Sequence, residues 1–367
     1  MNDIDAIAKK PGIGLEVDDD FERINELCLE RGWSDGLPIV PPTAARVERM
    51  LTFCDRPWDE PIAALAPRYA PATPLRLAAN AVMAGCRPEY FPVIVAAIEA
   101  MSDPVFNLYG VQATTHPCSP LILVNGPLAR ELDINGGANA FGPGRHANAT
   151  IGRAVRLALV NIGGAVPQLG DMATLGSPTK YTYCAAENEA ESPWEPLHVE
   201  HGFPPETSTV TVIAAEGPHN VNDHESTTAE GVLKMIAGTM TVTGANNMFH
   251  VSCPVVAISP EHAATIAGGG YSKADVKRHL YERARLPLSR FSEENVERRF
   301  RRKFPELYAQ AGPEAMVPLA HAPDDIYVVV LGGPGKHSAF IPTFGTTRPV
   351  TRAIVTRDET TVRSTSR

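Results

Sequence analysis

Three shortages in the sequence remove whole classes of function. The 367 residues include six cysteines and no C-x-x-C pair. That excludes a disulfide framework and a dithiol redox motif, and it predicts free thiols in a reducing cytoplasm. Apolar runs are also short. Glycine, proline or a charge interrupts each one before the roughly 18–20 residues that a membrane helix needs, so no membrane partner is expected. Basic residues are outnumbered, 33 Lys and Arg against 42 Asp and Glu, for a net charge of −9. A nucleic-acid surface normally carries a basic excess, so none is expected. The basic cluster Arg298, Arg299, Arg301, Arg302 and Lys303 follows Glu293, Glu294 and Glu297 and reads as the polar face of a helix. The first ten residues, MNDIDAIAKK, have no apolar core of a secretory leader.

Proline is abundant instead. Its 33 residues are about 9% of the chain, against an ordinary share near 5%. Proline fixes φ and removes a hydrogen-bond donor, so many short, stiff connections are expected. With 44% hydrophobic and 20% charged residues, the chain is globular rather than disordered.

The pattern along the chain predicts an α/β fold in two lobes. Residues 1–20 read as an N-terminal arm, 21–205 as a first lobe with a helical beginning, and 206–367 as a second lobe. Helices are expected over 21–31, from Ala44 (capped by Thr43), and over 74–85, 89–101, 272–285 and 292–310. Three β-rich runs end alike, at Gly126-Pro127, Gly217-Pro218 and Gly333-Pro334. They suggest a degenerate internal repeat of strand, Gly-Pro and loop. Continuous apolar strands suit a sheet covered on both faces, and ligands in open α/β sheets sit beyond the strand ends. The three loops are therefore expected to gather at one rim.

Much of the polar chemistry lies near those loops. The stretch from Phe141 to Thr150 is glycine-rich and feeds a helix, a cradle for an anion, with Arg145, Thr150 and Arg153 as substrate-binding candidates. It fits neither a phosphate-binding P-loop nor a dinucleotide fingerprint. Cys118, two residues from His116, is a candidate nucleophile with His116 beside the substrate. Cys184, Glu187 and Trp194 belong to a second dense stretch, in which a carboxyl tuned by an apolar wall would serve as acid or base. His146, His219 and His224 are further acid–base candidates. His219, His224 and Glu225 form the candidate metal set, of the donor types that suit zinc, iron or manganese, although the spacing matches no standard zinc motif. Lys336 and His337, after the third run, are candidates for holding substrate charge. No cofactor is required by this reading; a divalent metal belongs to its alternative.

Gly32-Trp33-Ser34-Asp35-Gly36-Leu37-Pro38-Ile39-Val40-Pro41-Pro42-Thr43, with the runs 148–153 and 187–198, resembles a little-characterised group of bacterial proteins. The group is loosely labelled thioredoxin-like and is associated with small proteins carrying a Cys/Sec-Gly-Ser-Cys motif. That motif is absent here. The resemblance implies an enzyme-type scaffold and leaves the reaction open. Together these readings point to a cytoplasmic enzyme, a hydrolase or lyase, doing polar chemistry (hydrolysis, hydration or elimination) on a small anionic substrate, with a homo-oligomer as an expected state. The alternatives are a metal-dependent hydrolase or lyase, and a non-enzymatic partner of a thiol or selenol protein.

Overall fold

The computed structural model describes residue 9 and residues 14–357. Most of the expected N-terminal arm (1–8 and 10–13) and the last ten residues of the second lobe lie outside the described residues. The strands are β1 (Ala63–Leu65), β2 (Ala70–Ala72), β3 (Ser119–Asn125), β4 (Cys184–Ala186), β5 (Thr209–Ala215), β6 (His219–Asn222), β7 (Val255–Ile258), β8 (Arg285–Pro287), β9 (Met316–Pro318), β10 (Tyr327–Val330), β11 (His337–Ile341) and β12 (Val350–Ala353). Two mixed four-stranded sheets dominate, with strand orders β12-β5-β3-β4 and β10-β7-β11-β6.

Side-chain alternation along these strands builds four layers. Leu121, Leu123, Ile213 and Ala215 of the first sheet meet Val255, Ala257, Val329 and Ile341 of the second in one buried cluster, so the sheets face each other. The alternate residues Ile122, Val124, Val210 and Val212 turn the other way, into the core with the helices Pro74–Ala84, Phe91–Met101 and His146–Asn161. Val256, Ile258, Val328 and Phe340 likewise face Ala229–Met240, Pro260–Gly268 and Lys273–Arg283. Both faces of each sheet are therefore covered. This is why all seven residues of β3 and all seven of β5 are buried, and why those runs read as continuously apolar rather than alternating. The fold is α/β, as the sequence pattern predicts. Among the described residues, no single helix is long and apolar enough to cross a membrane.

Local signals behave as their chemistry requires, with three exceptions. Ser272 caps its helix in a reciprocal capping box with Asp275, and Thr73 and Thr228 cap theirs. Thr43 precedes its helix but its side chain makes no capping bond. The helix expected over 292–310 is interrupted: a π turn spans Val296–Phe300, and the chain breaks at Phe304 (φ −129°, ψ 58°) ahead of Pro305, because proline excludes helical backbone from the residue before it. The third exception is Thr150, expected at a helix start. It lies one turn inside the His146–Asn161 helix, where its hydroxyl donates to the His146 carbonyl at 2.8 Å.

The lobe boundary expected at 205/206 does not divide the sheets. β5 pairs with β3 in the first sheet, and the last strand, β12, returns to pair with β5. The second sheet is thus built from chain inserted between β5 and β12. The degenerate repeat does not reappear in the topology: Gly126-Pro127 opens a short helix, whereas the second and third Gly-Pro turns lead into β6 and β11.

Gly126 itself is fixed by geometry. It adopts φ 89°, ψ −174°, a region open essentially to glycine alone. A Cβ there would stand 2.7 Å from the Ser208 Cα and 2.8 Å from the Thr207 carbonyl oxygen. Gly126→Ala is expected to lower unfolding free energy by about 2–3 kcal/mol, read as a lower urea midpoint with an unchanged m-value.

Candidate functional site

The antiparallel register of β3 and β5 decides what can meet. Ser119 stands opposite Ala215, and Asn125 opposite Thr209. The loop after β3 and the loop after β5 therefore leave from opposite ends of the sheet. The third Gly-Pro loop joins the first: the Asn188 side chain donates to the Gly332 carbonyl at 3.0 Å, and the Gly332 amide donates to the Gly136 carbonyl at 2.8 Å. The expected single rim is in fact two.

At the end where β3 begins and β5 finishes, the register brings His116 beside Glu216. His116 Nε2 lies 2.7 Å from Glu216 Oε1, and both side chains are largely covered. The ring of Phe344 stacks on His116 at 5.6 Å. The other imidazole nitrogen, Nδ1, is buried and has no partner. The loop containing Asp171 and Thr179 closes one side: the Thr174 amide donates to the Thr115 carbonyl, and the Ser119 hydroxyl donates to Thr179 Oγ1 at 2.9 Å.

On the other side Gly345, next to Phe344, packs against His250 with no room for a Cβ. His250 lines a hollow of about 720 Å³ with Glu294, Asn295, Arg298, Arg299, Arg302 and Lys303. Four cationic side chains there face one carboxylate. Arg299 lies 5.6 Å from the Phe249 ring centre, and its Nη2 donates to His250 Nε2 at 2.6 Å. Lys303 donates to the Phe249 carbonyl at 2.8 Å. A guanidinium cannot accept a proton, so His250 presents a bare nitrogen to it. Burial, then the charges of Arg299, Lys303 and His116, push the His250 imidazolium down to about 4, so the ring is neutral at pH 7. Arg299 Nε is buried without a partner. In the basic cluster read in the sequence as the polar face of a helix, Arg298, Arg301, Arg302 and Lys303 are exposed as expected, and Arg299 alone is half-buried, within the π turn.

A second hollow of about 720 Å³ includes Ser34, Asp35, Arg156, Asp171, Lys180 and Tyr181 in its lining. Its charges are paired. Asp171 accepts from Arg156 at 2.7 Å and from Lys180 at 2.7 Å. Burial alone would raise the Asp171 carboxyl, but the Lys180 hydrogen bond and the Arg156 charge bring it below the ordinary aspartate range.

The other residues singled out in the sequence are dispersed. Cys118 is buried, and burial pushes its thiol up to about 12. Cys184, in β4, is buried and its thiol is raised for the same reason. Neither supplies a thiolate at neutral pH in this conformation. Glu187 is buried between Asn125 Nδ2 (2.6 Å) and the Leu197 amide (2.8 Å). Burial raises its carboxyl despite the nearby Lys273 charge. Trp194 donates to the Tyr271 carbonyl at 3.0 Å and packs on the second core. Arg145 is exposed and paired with Asp133 at 3.0 Å. Arg153 forks onto both Asp35 oxygens at 2.8 Å and also donates to the Leu37 and Pro38 carbonyls, so it braces the Trp33–Pro38 loop. His146 is exposed at its helix start beside Tyr90, and burial followed by the Arg87 charge lowers its imidazolium. His219 is exposed on β6. His224 and His337 meet at 3.1 Å, and Lys336 donates to the His224 carbonyl. His219, His224 and Glu225 do not converge; among the described residues, no group of three or more His, Cys, Asp or Glu side chains does.

Reading the sequence missed Glu216, His250 and Arg299 as site residues. Glu216 stands directly before the second Gly-Pro, where a strand end was already legible. The signal for Arg299 was five basic residues within the six positions 298–303, too many for one face of a helix. No family model matches the chain, and no curated protein matches it either.

The Asp171 triad makes a prediction with a defined sign. A carboxyl held below its ordinary value contributes stability above about pH 4, and that contribution is lost as pH falls through the depressed value. Asp171→Asn should therefore cost about 3–5 kcal/mol at pH 7 by leaving Arg156 and Lys180 uncompensated. Chemical denaturation of both proteins at several pH values should show the gap closing below about pH 4.

Proposed function

We propose that the chain is an enzyme of proton-transfer chemistry acting on a small anionic substrate, with His116 as acid–base and Glu216 as the group that orients it. The observation that carries the reading is the 2.7 Å His116–Glu216 pair, formed by residues 100 apart in sequence; neither residue lines the Arg299–His250 hollow, to which the pair is joined through Phe344 and Gly345. A carboxylate on one imidazole nitrogen fixes the ring, and the other nitrogen, buried without a partner, is the one that would exchange a proton with a substrate displacing its cover. The cations around the hollow supply a field for a carboxylate or phosphate, and Arg offers the forked donor geometry such groups accept. Neutral His250 sits among these cations without adding to their charge.

The chemistry in reach is addition or removal of a proton next to an anionic group, as in hydration, elimination or hydrolysis. The buried thiols have no part in it. The substrate's acidic group would lie toward Arg299 and Arg302, and its reacting carbon toward His116. The resemblance to thioredoxin-labelled proteins adds no dithiol step, since no cysteine pair is present to carry one.

The test is incubation of the purified chain with a panel of small carboxylates and phosphate esters in D2O, followed by proton NMR. Wild type is expected to exchange or convert at least one panel member. His116→Gln should slow that reaction by about 10²–10⁴-fold, and Glu216→Gln should slow it by a smaller factor, with thermal midpoints within a few degrees of wild type. Full activity in His116→Gln would overturn the reading.

A further inference from the structure

The geometry points to a divalent-metal clip formed by His224 and His337, a zinc-type site separate from the proposed acid–base pair. The two side chains come from segments 113 residues apart, and their Nε2 atoms face each other at 3.1 Å. Two imidazole nitrogens bound to one tetrahedral zinc at 2.0–2.1 Å stand about 3.3 Å apart. The observed separation therefore needs almost no adjustment to admit a metal between the rings, and both residues are exposed.

The tautomer is set for ligation at one of them. His337 Nδ1 lies 3.0 Å from Asn220 Oδ1. A side-chain amide oxygen only accepts, so Nδ1 carries the proton and the Nε2 lone pair is directed at His224. A partner on the second nitrogen is the usual arrangement around metal-binding histidine. His224, which donates to His337 across this contact, would move its proton to Nδ1 on ligation.

The backbone beneath is tied by hydrogen bonds. His262 is 1% exposed. Its Nε2 donates to the carbonyl of Asp223, and its Nδ1 accepts from the hydroxyl of Ser338 at 2.7 Å. These are the residues next to His224 and His337, so one buried imidazole ties both ligand positions together. Lys336 adds a hydrogen bond to the His224 carbonyl at 2.9 Å. Two protein ligands are fewer than the three or four of the usual protein zinc site, and no third His, Cys, Asp or Glu joins them among the described residues, so the remaining positions go to water or to an external donor.

Equilibrium dialysis of the intact chain against zinc chloride tests this. Wild type should bind one zinc per chain at this site, and His224→Ala and His337→Ala should each weaken that binding at least tenfold. Asn220→Ala should weaken it by about 10-fold or more through the second nitrogen of His337. His219→Ala, on the same strand, should leave it unchanged. In wild type, zinc should shift the ring-proton NMR signals of His224 and His337 together, a readout that needs no variant. No zinc uptake by wild type, or uptake that survives in both His224→Ala and His337→Ala, would overturn the assignment.

Discussion

The pairing of β3 with β5 is the constraint on which the rest depends. Seven residues face seven, all buried, in one fixed antiparallel register. Because strand side chains alternate, a slip of one residue would exchange the helix-facing set for the sheet-facing set and disrupt two cores at once. The same register places residue 116 beside residue 216 at one end. At the other end it places Asn125 near Glu187 and Glu189, both of which accept from its side chain. The fold and the candidate site are thus consequences of one ladder.

The charges divide into those consumed by structure and those left facing a hollow. Arg153 is spent on Asp35 and two carbonyls, Arg156 and Lys180 on Asp171, and Lys273 and Lys277 on Glu200. Each is a nearly buried pair, in which losing one partner costs more than the pair contributes. Arg298, Arg299, Arg302 and Lys303 are different. Their hollow holds Glu294 as its one carboxylate, and the Arg299 neighbour is a neutral imidazole. An acidic protein that concentrates cations at one place has a local field opposite in sign to its average.

Much of the fold was legible in the sequence. Continuous apolar runs marked β3, β5 and β10, and Ser272 marked a helix start by the chemistry of caps. Strand direction was not legible, because an apolar run reads the same in parallel and antiparallel pairs. That gap produced the expectation of a single rim. It also misplaced the lobe boundary, since nothing local to residues 206–215 says that they pair backward with β3. The site was legible in residue type and less so in partnership. His116, His224 and His337 were singled out, but their partners come from segments 100 and more residues away. Cys118 and Cys184 drew notice for their reactivity as thiols; burial, which depends on the whole core, removes it.

The central claim is that one place in the molecule combines an acid–base pair with an anion-binding field. A crystal structure of the chain soaked in an inorganic phosphate series tests it most directly. The account predicts phosphate against Arg299 and Arg302, in the hollow lined by His250, with the His116–Glu216 contact intact. Phosphate settling elsewhere while that hollow stays filled by water alone, or His116 turned away from Glu216, would contradict it.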